Sequence, residues 1–318
     1  MDGLLEVRQL KTHFHTVDGI VKAVDGVSLT VDKNEIVGIV GESGCGKTMT
    51  ALSIVRLIPP PGRIVGGDIV FEGKSLLNIS DDEMREIRGK GISMVFQDPM
   101  TFLNPVMKVK DQIAEVIVRH SKITRAEANV EAVNMLEKVR MPAPRQIADY
   151  YPHQLSGGMR QRVLISIGLA CKPKLVIADE PTTALDPTVQ QQIVQLMRDL
   201  MSSLDTSLLI ITHDVALSAE ICNRIYIMYA GKIVEGAGVE AIFQNPMHPY
   251  TRLLLECVPR PDQKSTIRFI AGTVPDLSNP PSGCRFQPRC PRFLEKCAKE
   301  EPPLKENNDG HIVACWLW

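Results

Sequence analysis

The feature that most constrains this chain is a glycine-rich stretch at residues 41–48, with the sequence GESGCGKT. It fits the pattern G-x-x-x-x-G-K-[ST], and an apolar, β-branched run at residues 36–40 precedes it. A helical pattern beginning at Met49 follows it. Between a strand and a helix, such glycines let backbone N–H groups turn toward phosphates, and the helix N-terminus adds partial positive charge. A glycine turn without a ligand is the alternative, but the lysine and threonine in register favour a nucleoside triphosphate site.

The type of each side chain in this stretch suggests a role. We expect the Lys47 amine to reach the β- and γ-phosphates of ATP and the Thr48 hydroxyl to ligate Mg²⁺. Phe14, near the end of the first predicted strand, is equally consistent with stacking on adenine and with a place in the core. The complete set predicted to bind ATP within this chain also contains Gly41, Glu42, Ser43, Gly44, Cys45, Gly46, Met49 and Asp179.

Composition excludes several classes of protein. The chain has 318 residues, of which 44% are hydrophobic and 23% charged, as in ordinary globular proteins. The net charge of −1 gives no reason to expect a nucleic-acid partner. No apolar run approaches the roughly 18 residues that span a bilayer, and the first residues lack the layout of a signal peptide. We therefore expect a cytosolic chain whose eight cysteines are thiols or metal ligands rather than disulfides.

The hydrophobic pattern changes along the chain. Short β-type runs at residues 4–38 predict an antiparallel layer, with separate strands at residues 20–24 and 27–31. Apolar residues recur every three or four positions between Lys108 and Asp149, which predicts a helical subdomain at about 98–170.

Polar residues follow several predicted strands, where a parallel sheet places ligand-binding groups. Gln97 follows the strand at 92–96 and is a candidate for contact with Mg²⁺ or the attacking water. Asp179 and Glu180 end the apolar strand that begins at Leu175. We expect Asp179 to hold the Mg²⁺ shell and Glu180 to orient and deprotonate the water. His213, after a further strand, is a candidate partner of the γ-phosphate or its water.

A second candidate anion site opens a predicted helix at residues 155–159. Serine and two glycines at a helix start present free N–H groups, although an ordinary serine cap is the alternative. Since residues 41–48 already surround one set of phosphates, this second element is expected to serve a nucleotide held by another chain. Its residues are Leu155, Ser156, Gly157, Gly158 and Met159.

Taken together, these motifs resemble the ATP-binding cassette (ABC) ATPases over roughly residues 1–245. The motifs that carry the resemblance are GESGCGKT at 41–48, Gln97, LSGGM at 155–159, LVIADE at 175–180, ALD at 184–186 and His213. The resemblance implies an α/β, ABC-type P-loop ATPase with an antiparallel β layer and a helical subdomain. It also implies a head-to-tail dimer, in which residues 155–159 and Asp186 bind the nucleotide of the partner chain.

Residues 246–318 resemble the C-terminal extension of dipeptide and oligopeptide importer ATPases. The stretches that carry this resemblance are NPMHPYT at 245–251 and AGTVP at 271–275. This resemblance implies a motor subunit, peripheral to the membrane at its cytoplasmic face, that drives alternating access through ATP-dependent dimer closure. The implied partners are a second, similar ATPase subunit, two membrane permease subunits and an external substrate-binding protein. Residues 98–120 are the expected contact with a membrane subunit. A non-transport ABC ATPase and an iron–sulfur redox regulator are the alternatives.

Four cysteines lie within the last 35 residues, with the spacing C-x5-C-x6-C-x17-C. Zinc sites usually bring cysteine pairs closer in sequence, whereas four thiolates without histidine suit a [4Fe–4S] cluster. Zinc and unligated thiols are the alternatives, and the resemblance to peptide-importer ATPases supports the cluster. The predicted ligands are Cys284, Cys290, Cys297 and Cys315, and the cations expected to offset the cluster charge are Arg285, Arg289, Arg292 and Lys296. We expect a small C-terminal iron–sulfur extension, with ATP binding independent of it because the cassette has its own core.

Overall fold

A computed structural model describes residues 3–183, 185–258, 269–307 and 309–318. Ala184 of the ALD motif and residues 259–268 of the predicted extension lie outside the described residues. The chain divides into two compact units. We call residues 3–31, 36–77 and 211–318 the nucleotide-loop unit, and residues 32–35 and 78–210 the helical unit.

The strands and helices are numbered here in chain order. The strands are β1 Gly3–Thr16, β2 Gly19–Asp32, β3 Ile36–Val40, β4 Gly62–Phe71, β5 Lys74–Ser75, β6 Ile92–Val95, β7 Leu175–Asp179, β8 Ser207–Thr212, β9 Arg224–Tyr229, β10 Lys232–Gly238, β11 Lys305–Glu306 and β12 Ile312–Val313. The helices are α1 Lys47–Ile54, α2 Asp81–Lys90, α3 Pro99–Phe102, α4 Val109–His120, α5 Arg125–Lys138, α6 Pro144–Ile147, α7 Gly157–Leu169, α8 Pro187–Leu204, α9 Val215–Ile221, α10 Val239–Gln244, α11 Pro249–Glu256 and α12 Glu295–Lys299.

One sheet of the nucleotide-loop unit has the order β2-β1-β4-β5. β4 pairs antiparallel with both β1 and β5, so the predicted antiparallel layer is present and recruits residues beyond position 38. The two strands predicted at 20–24 and 27–31 are one continuous strand, β2. Gly26 within it has φ 85°, a left-handed conformation open to glycine, so the chain distorts there without leaving the sheet.

A second set of strands in this unit has the order β11-β12-β10-β9-β3. β3 pairs with β9 in parallel, and β10 pairs antiparallel with β9 and β12. Side chains from distant parts of the sequence fill the core beside these strands, where Tyr229, Tyr250 and Phe286 are fully buried. The last residues of the chain therefore extend the sheet whose parallel strand β3 leads into residues 41–48.

The helical unit contains the strand order β8-β7-β6, with β6 and β7 parallel and the first four residues of β8 in this unit. Every residue of β7 is buried, as expected for a central strand. The helical periodicity predicted for residues 108–149 corresponds to α4, α5 and α6. Ile113 and Ile117 of α4 are buried, as are Ala132 and Leu136 of α5, so each pair lies one helical turn apart on the core side. Within the described ranges, no helix is both long and apolar enough to cross a membrane.

Candidate nucleotide-binding site

Residues 41–48 connect β3 to α1 in the nucleotide-loop unit, as the sequence predicted. Gly46 precedes the helix with φ 107°, and Gly44 has φ 77°, so both adopt conformations that favour glycine. A side chain at Gly41 would overlap the carbonyl oxygen of Met228, and one at Gly46 would overlap that of Ala23. The glycines therefore meet two requirements: a left-handed turn and close packing against β9 and β2.

Lys47 is the buried cation of this loop. Lys47 is only 4% exposed, and its Nζ donates hydrogen bonds to the carbonyl oxygens of Gly41 (2.8 Å) and Glu42 (3.0 Å). Cys45, another residue of the loop, has a buried thiol, and this burial raises the pKa of the thiol. The exposed Ser43 and Gly44 form the outer turn, while Thr48 and Met49 are half-buried in the first turn of α1. A buried ammonium beside a helix start is well suited to bind phosphate oxygens.

Two further predicted site residues lie in the same unit. Phe14 is half-buried and paired with Gly62 across β1 and β4, and its ring packs over that glycine. His213 is exposed directly after β8. The next residue, Asp214, caps α9 by accepting a hydrogen bond from the N–H of Leu217 (3.0 Å). This cap holds the backbone on the C-terminal side of His213.

The structure brings Gln97 and Glu180 together in the helical unit. Gln97 Nε2 donates to Glu180 Oε2 at 3.1 Å, and the Thr183 hydroxyl donates to the same oxygen at 2.9 Å. Asp179 is 3% exposed at the end of β7, immediately before Glu180. Glu180 has φ 44°, which is costly for a residue with a Cβ and is typical of functional sites. The strained backbone and two donors fix this carboxylate in one orientation.

The motif at residues 155–159 begins α7 in the same unit. Ser156 is its N-cap and accepts a hydrogen bond from the N–H of Met159 (3.3 Å), while Leu155 is buried. Gly158 packs closely against the start of α8, since a Cβ at this position would lie 2.7 Å from Val189 Cγ1. Asp186 caps that helix by accepting from the N–H of Val189 (3.0 Å). Apart from the buried Leu155, the predicted in-trans residues thus lie at two neighbouring helix starts, where Ser156, Gly157 and Asp186 are exposed.

Comparison with known proteins gives these features a context. Residues 24–183 match the family "ABC transporter", and residues 234–297 match "Oligopeptide/dipeptide transporter, C-terminal region". The oligopeptide transport ATP-binding protein OppD of Bacillus subtilis is 49% identical over 99% of this chain and 88% of its own length. The dipeptide transport ATP-binding protein DppD of the same organism is 46% identical over 100% of this chain and 95% of its own length.

The chain belongs to the ABC transporter ATPases.

Solved structures of this family agree with the fold. The dimeric ATP-binding cassette MJ0796 bound to ADP and Pi has a TM-score of 0.67 and 25% identity, covering 74% of this chain and 98% of that one. CbiO1 from Clostridium perfringens has a TM-score of 0.65 and 26% identity, covering 77% and 92%. The curated relatives are named as transport ATP-binding proteins, which does not favour the alternative of a non-transport ATPase or redox regulator.

Sequence reasoning missed the residues that hold the phosphate loop of this ABC ATPase from outside. Arg289 donates two hydrogen bonds to the Glu42 carboxylate (2.6 and 2.9 Å), and the Tyr250 hydroxyl accepts the Glu42 N–H (3.0 Å). The pKa of Arg289 is raised by its hydrogen bond with Glu42. No local pattern links these positions, because Glu42 and Arg289 are separated by 247 residues in the sequence.

Of the four cations expected to offset a cluster charge, Arg292 lines the cavity that the four late cysteines share, whereas the other three contact other protein groups. Arg289 pairs with Glu42, and Arg285 pairs with Asp25 and donates to the carbonyl of Ala230. Lys296 lies 3.5 Å from the ring centroid of Trp316. These three cations are therefore engaged by protein groups.

The four late cysteines line one cavity in the nucleotide-loop unit. The set is Cys284, Cys290, Cys297 and Cys315. Burial raises the pKa of the Cys284 thiol to about 11 and also raises the pKa of Cys290 and Cys315. Apolar side chains such as Phe286 and Leu317 share the lining. Among the described residues, no three or more His, Cys, Asp or Glu side chains are grouped closely enough to hold a metal ion.

Proposed function

We propose that this chain is the ATP-hydrolysing subunit of a bacterial ABC importer for dipeptides or oligopeptides. The similarity of residues 234–297 to the C-terminal region of oligopeptide and dipeptide transporters carries the proposal. The solved cassettes reach only 74% and 77% of this chain, whereas the peptide-transport relatives extend over nearly all of it.

The proposed assembly follows from membership of this group. Two membrane permease subunits, an external substrate-binding protein and a second, similar ATPase subunit are the proposed partners, with this chain peripheral at the cytoplasmic face of the membrane. Residues 98–120 would contact a permease subunit. ATP binding closes the ATPase dimer, hydrolysis reopens it, and the membrane subunits alternate their access accordingly.

We further propose a division of the chain along these roles. Residues 1–245 form the nucleotide-binding domain, with a helical subdomain at about 98–170, and residues 246–318 form the transporter-type extension.

We assign each nucleotide-binding site to residues from both chains of the dimer. Lys47 binds the β- and γ-phosphates, residues 41–49 surround them, and Phe14 stacks on adenine. Residues 155–159 and Asp186 complete the site of the partner chain. This assignment is supported by the exposed N-terminus of α7, whose Ser156 and Gly157 face solvent.

The residue types proposed as Mg²⁺ ligands suit this ion. Thr48, Asp179 and Gln97 offer hydroxyl, carboxylate and amide oxygens, which are the hard ligands that this ion prefers. When bound, Mg²⁺ neutralises phosphate charge. Glu180 accepts the proton of the attacking water, Gln97 and Thr183 keep its carboxylate oriented, and His213 hydrogen-bonds the γ-phosphate.

A pair of substitutions tests the catalytic assignment. Glu180→Gln should retain Mg²⁺-ATP binding and nearly abolish hydrolysis, because the water loses its base while the phosphates keep their ligands. Lys47→Ala should weaken ATP binding itself. Both should stop ATP-dependent uptake of a labelled peptide by vesicles that contain the assembled transporter. Wild-type turnover in the Glu180→Gln complex would contradict the assignment, and normal peptide uptake without this subunit would contradict the transport function.

We also propose that the four-cysteine cavity holds a [4Fe–4S] cluster. Four cysteines that line one cavity supply the donor set of this cofactor, in which each iron takes one thiolate. In such a cluster the four cysteine sulfurs bind four different irons, so they stand farther apart than four ligands of one ion. When bound, the cluster would stabilise a short, proline-rich segment by cross-linking it.

Anaerobic purification tests the cluster. The protein should be brown, with a broad visible charge-transfer band and about four irons and four sulfides per chain. Cys297→Ser should bleach it, while Cys171→Ser, outside the cavity, should not. A colourless protein with one stoichiometric zinc, prepared anaerobically with iron supplied, would overturn the cluster and leave the ATPase function intact.

A further inference from the structure

Glu42, the second residue of the phosphate loop, is held at three points within the nucleotide-loop unit. Its N–H donates to the Tyr250 hydroxyl, its carboxylate accepts two hydrogen bonds from Arg289, and its carbonyl accepts one from Lys47. The first two contacts come from the C-terminal part of the chain, and the third comes from the phosphate-binding lysine. A single loop residue therefore links residues 246–318 to the cation expected to bind phosphate.

The two outer partners are themselves rigidly anchored. The Arg289 side chain is 5% exposed, lies 5.7 Å from the Tyr229 ring centroid, and also donates to the carbonyl of Ala271 at 2.8 Å. Tyr250 is fully buried, and its ring packs against Tyr229 and Phe286, with centroids 4.7 and 5.3 Å away. Since these side chains have little freedom to move, they restrict the position of Glu42 rather than follow it.

The geometry of the salt bridge adds directionality. Two parallel N–H···O bonds between a guanidinium and a carboxylate fix orientation as well as distance, which a lysine amine cannot do. The remaining 26% exposure of the Glu42 side chain shows that the pair lies at the edge of the buried region, next to the loop. Loss of Arg289 would leave this carboxylate without its charged partner.

We propose that Arg289 and Tyr250 are positioning residues, which hold residues 41–48 in the conformation that binds ATP. A phosphate loop binds through several backbone N–H groups at once, so affinity depends on the loop being formed beforehand. The C-terminal region thereby sets the affinity of the ATPase for nucleotide. These contacts argue against the independence of ATP binding from the tail that the sequence alone suggested.

The first test measures the dissociation constant of Mg²⁺-ATP for the full-length chain. Arg289→Gln should weaken binding about tenfold, because part of the binding energy is then used to order the loop. Arg289→Lys should recover part of this loss, since lysine keeps the charge but not the paired geometry. Tyr250→Phe should weaken binding about threefold, because the Glu42 N–H loses its acceptor.

Arg285→Gln is the matched control. Arg285 is a similarly buried arginine of the same segment, at 6% side-chain exposure, and it pairs with Asp25 rather than with the phosphate loop. This variant should lower the melting temperature as Arg289→Gln does, yet leave ATP affinity within about twofold of wild type. An equal loss of ATP affinity in Arg285→Gln would mean general destabilisation of the tail and would overturn the proposal.

Steady-state kinetics and a double-mutant cycle complete the test. In the assembled transporter, Arg289→Gln should raise KM for ATP with little change in kcat, because saturating ATP restores the binding conformation of residues 41–48. Glu42→Gln should make Arg289→Gln nearly silent, since the two act through one contact. Additive effects of these two changes, or a folded Arg289→Gln with wild-type ATP affinity, would contradict the positioning role while leaving the ATPase assignment untouched.

Discussion

The Glu180 carboxylate accepts hydrogen bonds from two donors of different origin. Gln97 was predicted as a site residue from its place after a strand, whereas Thr183 was not singled out, because a hydroxyl in a turn carries no distinctive signal. Both donate to Glu180 Oε2, at 3.1 and 2.9 Å. The orientation of the proposed base therefore depends on a residue that only the structure identifies.

Removing the Thr183 hydroxyl should slow hydrolysis without affecting binding. A hydrogen bond of this kind contributes about 1 kcal/mol, so Thr183→Val should lower kcat about fivefold. The dissociation constant for ATP should be unchanged, because Thr183 orients the base and is not part of residues 41–48. Single-turnover hydrolysis and nucleotide titration measure the two quantities separately. A rise in the dissociation constant with unchanged kcat would contradict this role.

His120, the last residue of α4, should make stability depend on pH. Burial lowers its pKa, Arg119 and Lys90 lower it further, and Glu86 opposes them. Its Nδ1 is buried without a hydrogen-bond partner in the described chain. Because the unfolded histidine, with a pKa of about 6.5, takes up a proton first, stability is complete above that pH and falls as the pH drops toward the lower folded value.

Urea unfolding of the wild type and His120→Gln at several pH values measures this effect. Below about pH 6.5 the wild type should lose stability more steeply than the variant as the pH falls, and near pH 8 the pH slopes should agree. Carboxylates titrate in both proteins, so the difference isolates His120. If the stability of the two proteins changed in parallel between roughly pH 5 and pH 6.5, the pKa of His120 in the folded protein would be normal.

At the scale of elements, capping and packing residues made α7 predictable. Serine followed by glycines marked its start, and the structure shows the Ser156 cap together with Gly158, which packs on α8. In contrast, β11 and β12 are two residues each, too short to show alternation. β12 pairs with β10, and β11 pairs with β12. The pairing with β10 depends on contacts between distant segments, which the sequence pattern does not encode.

Ser156→Arg should separate the two functions of the cassette. An arginine side chain at the exposed start of α7 would obstruct the anion site that serves the partner chain. ATP binding by the variant chain itself should stay at the wild-type level, and hydrolysis at the composite site should be lost. Ser80→Arg is the control, because Ser80 is also an exposed N-cap, on α2. Lost ATP affinity in the isolated Ser156→Arg chain, or equal inhibition by Ser80→Arg, would contradict the in-trans role.

At the scale of the whole molecule, the sequence indicated the individual motifs but not the contacts by which the C-terminal region holds the phosphate loop. Motif order and spacing are local properties, so the ABC cassette could be predicted. The contact between Glu42 and Arg289 depends on the fold of the chain between two positions that are 247 residues apart in the sequence. The cations near the late cysteines were therefore interpreted through their sequence neighbours, whereas Arg289 pairs with the phosphate loop and Arg285 pairs with β2.

This connection places the proposed cluster close in sequence to the positioning arginine. Arg289 ends the short 3₁₀ turn Gln287–Arg289 and directly precedes Cys290. The segment from Cys284 to Cys290 contains this turn. Two of the four proposed iron ligands therefore bracket Arg289. If iron ligation orders this segment, removal of iron should release Arg289 from Glu42 and weaken ATP binding.

The corresponding measurement compares ATP affinity before and after anaerobic chelation of the iron. The wild type should lose about as much affinity as Arg289→Gln does, roughly tenfold, while Arg289→Gln should lose little more on chelation. Circular dichroism checks that the cassette remains folded in each sample. Equal further losses in both proteins would mean that the cluster acts on the nucleotide site by another route. Unchanged affinity in the iron-free wild type would mean that Tyr250 and the packing around Tyr229 hold Arg289 in place without the cluster, so that the positioning contact belongs to the protein fold alone.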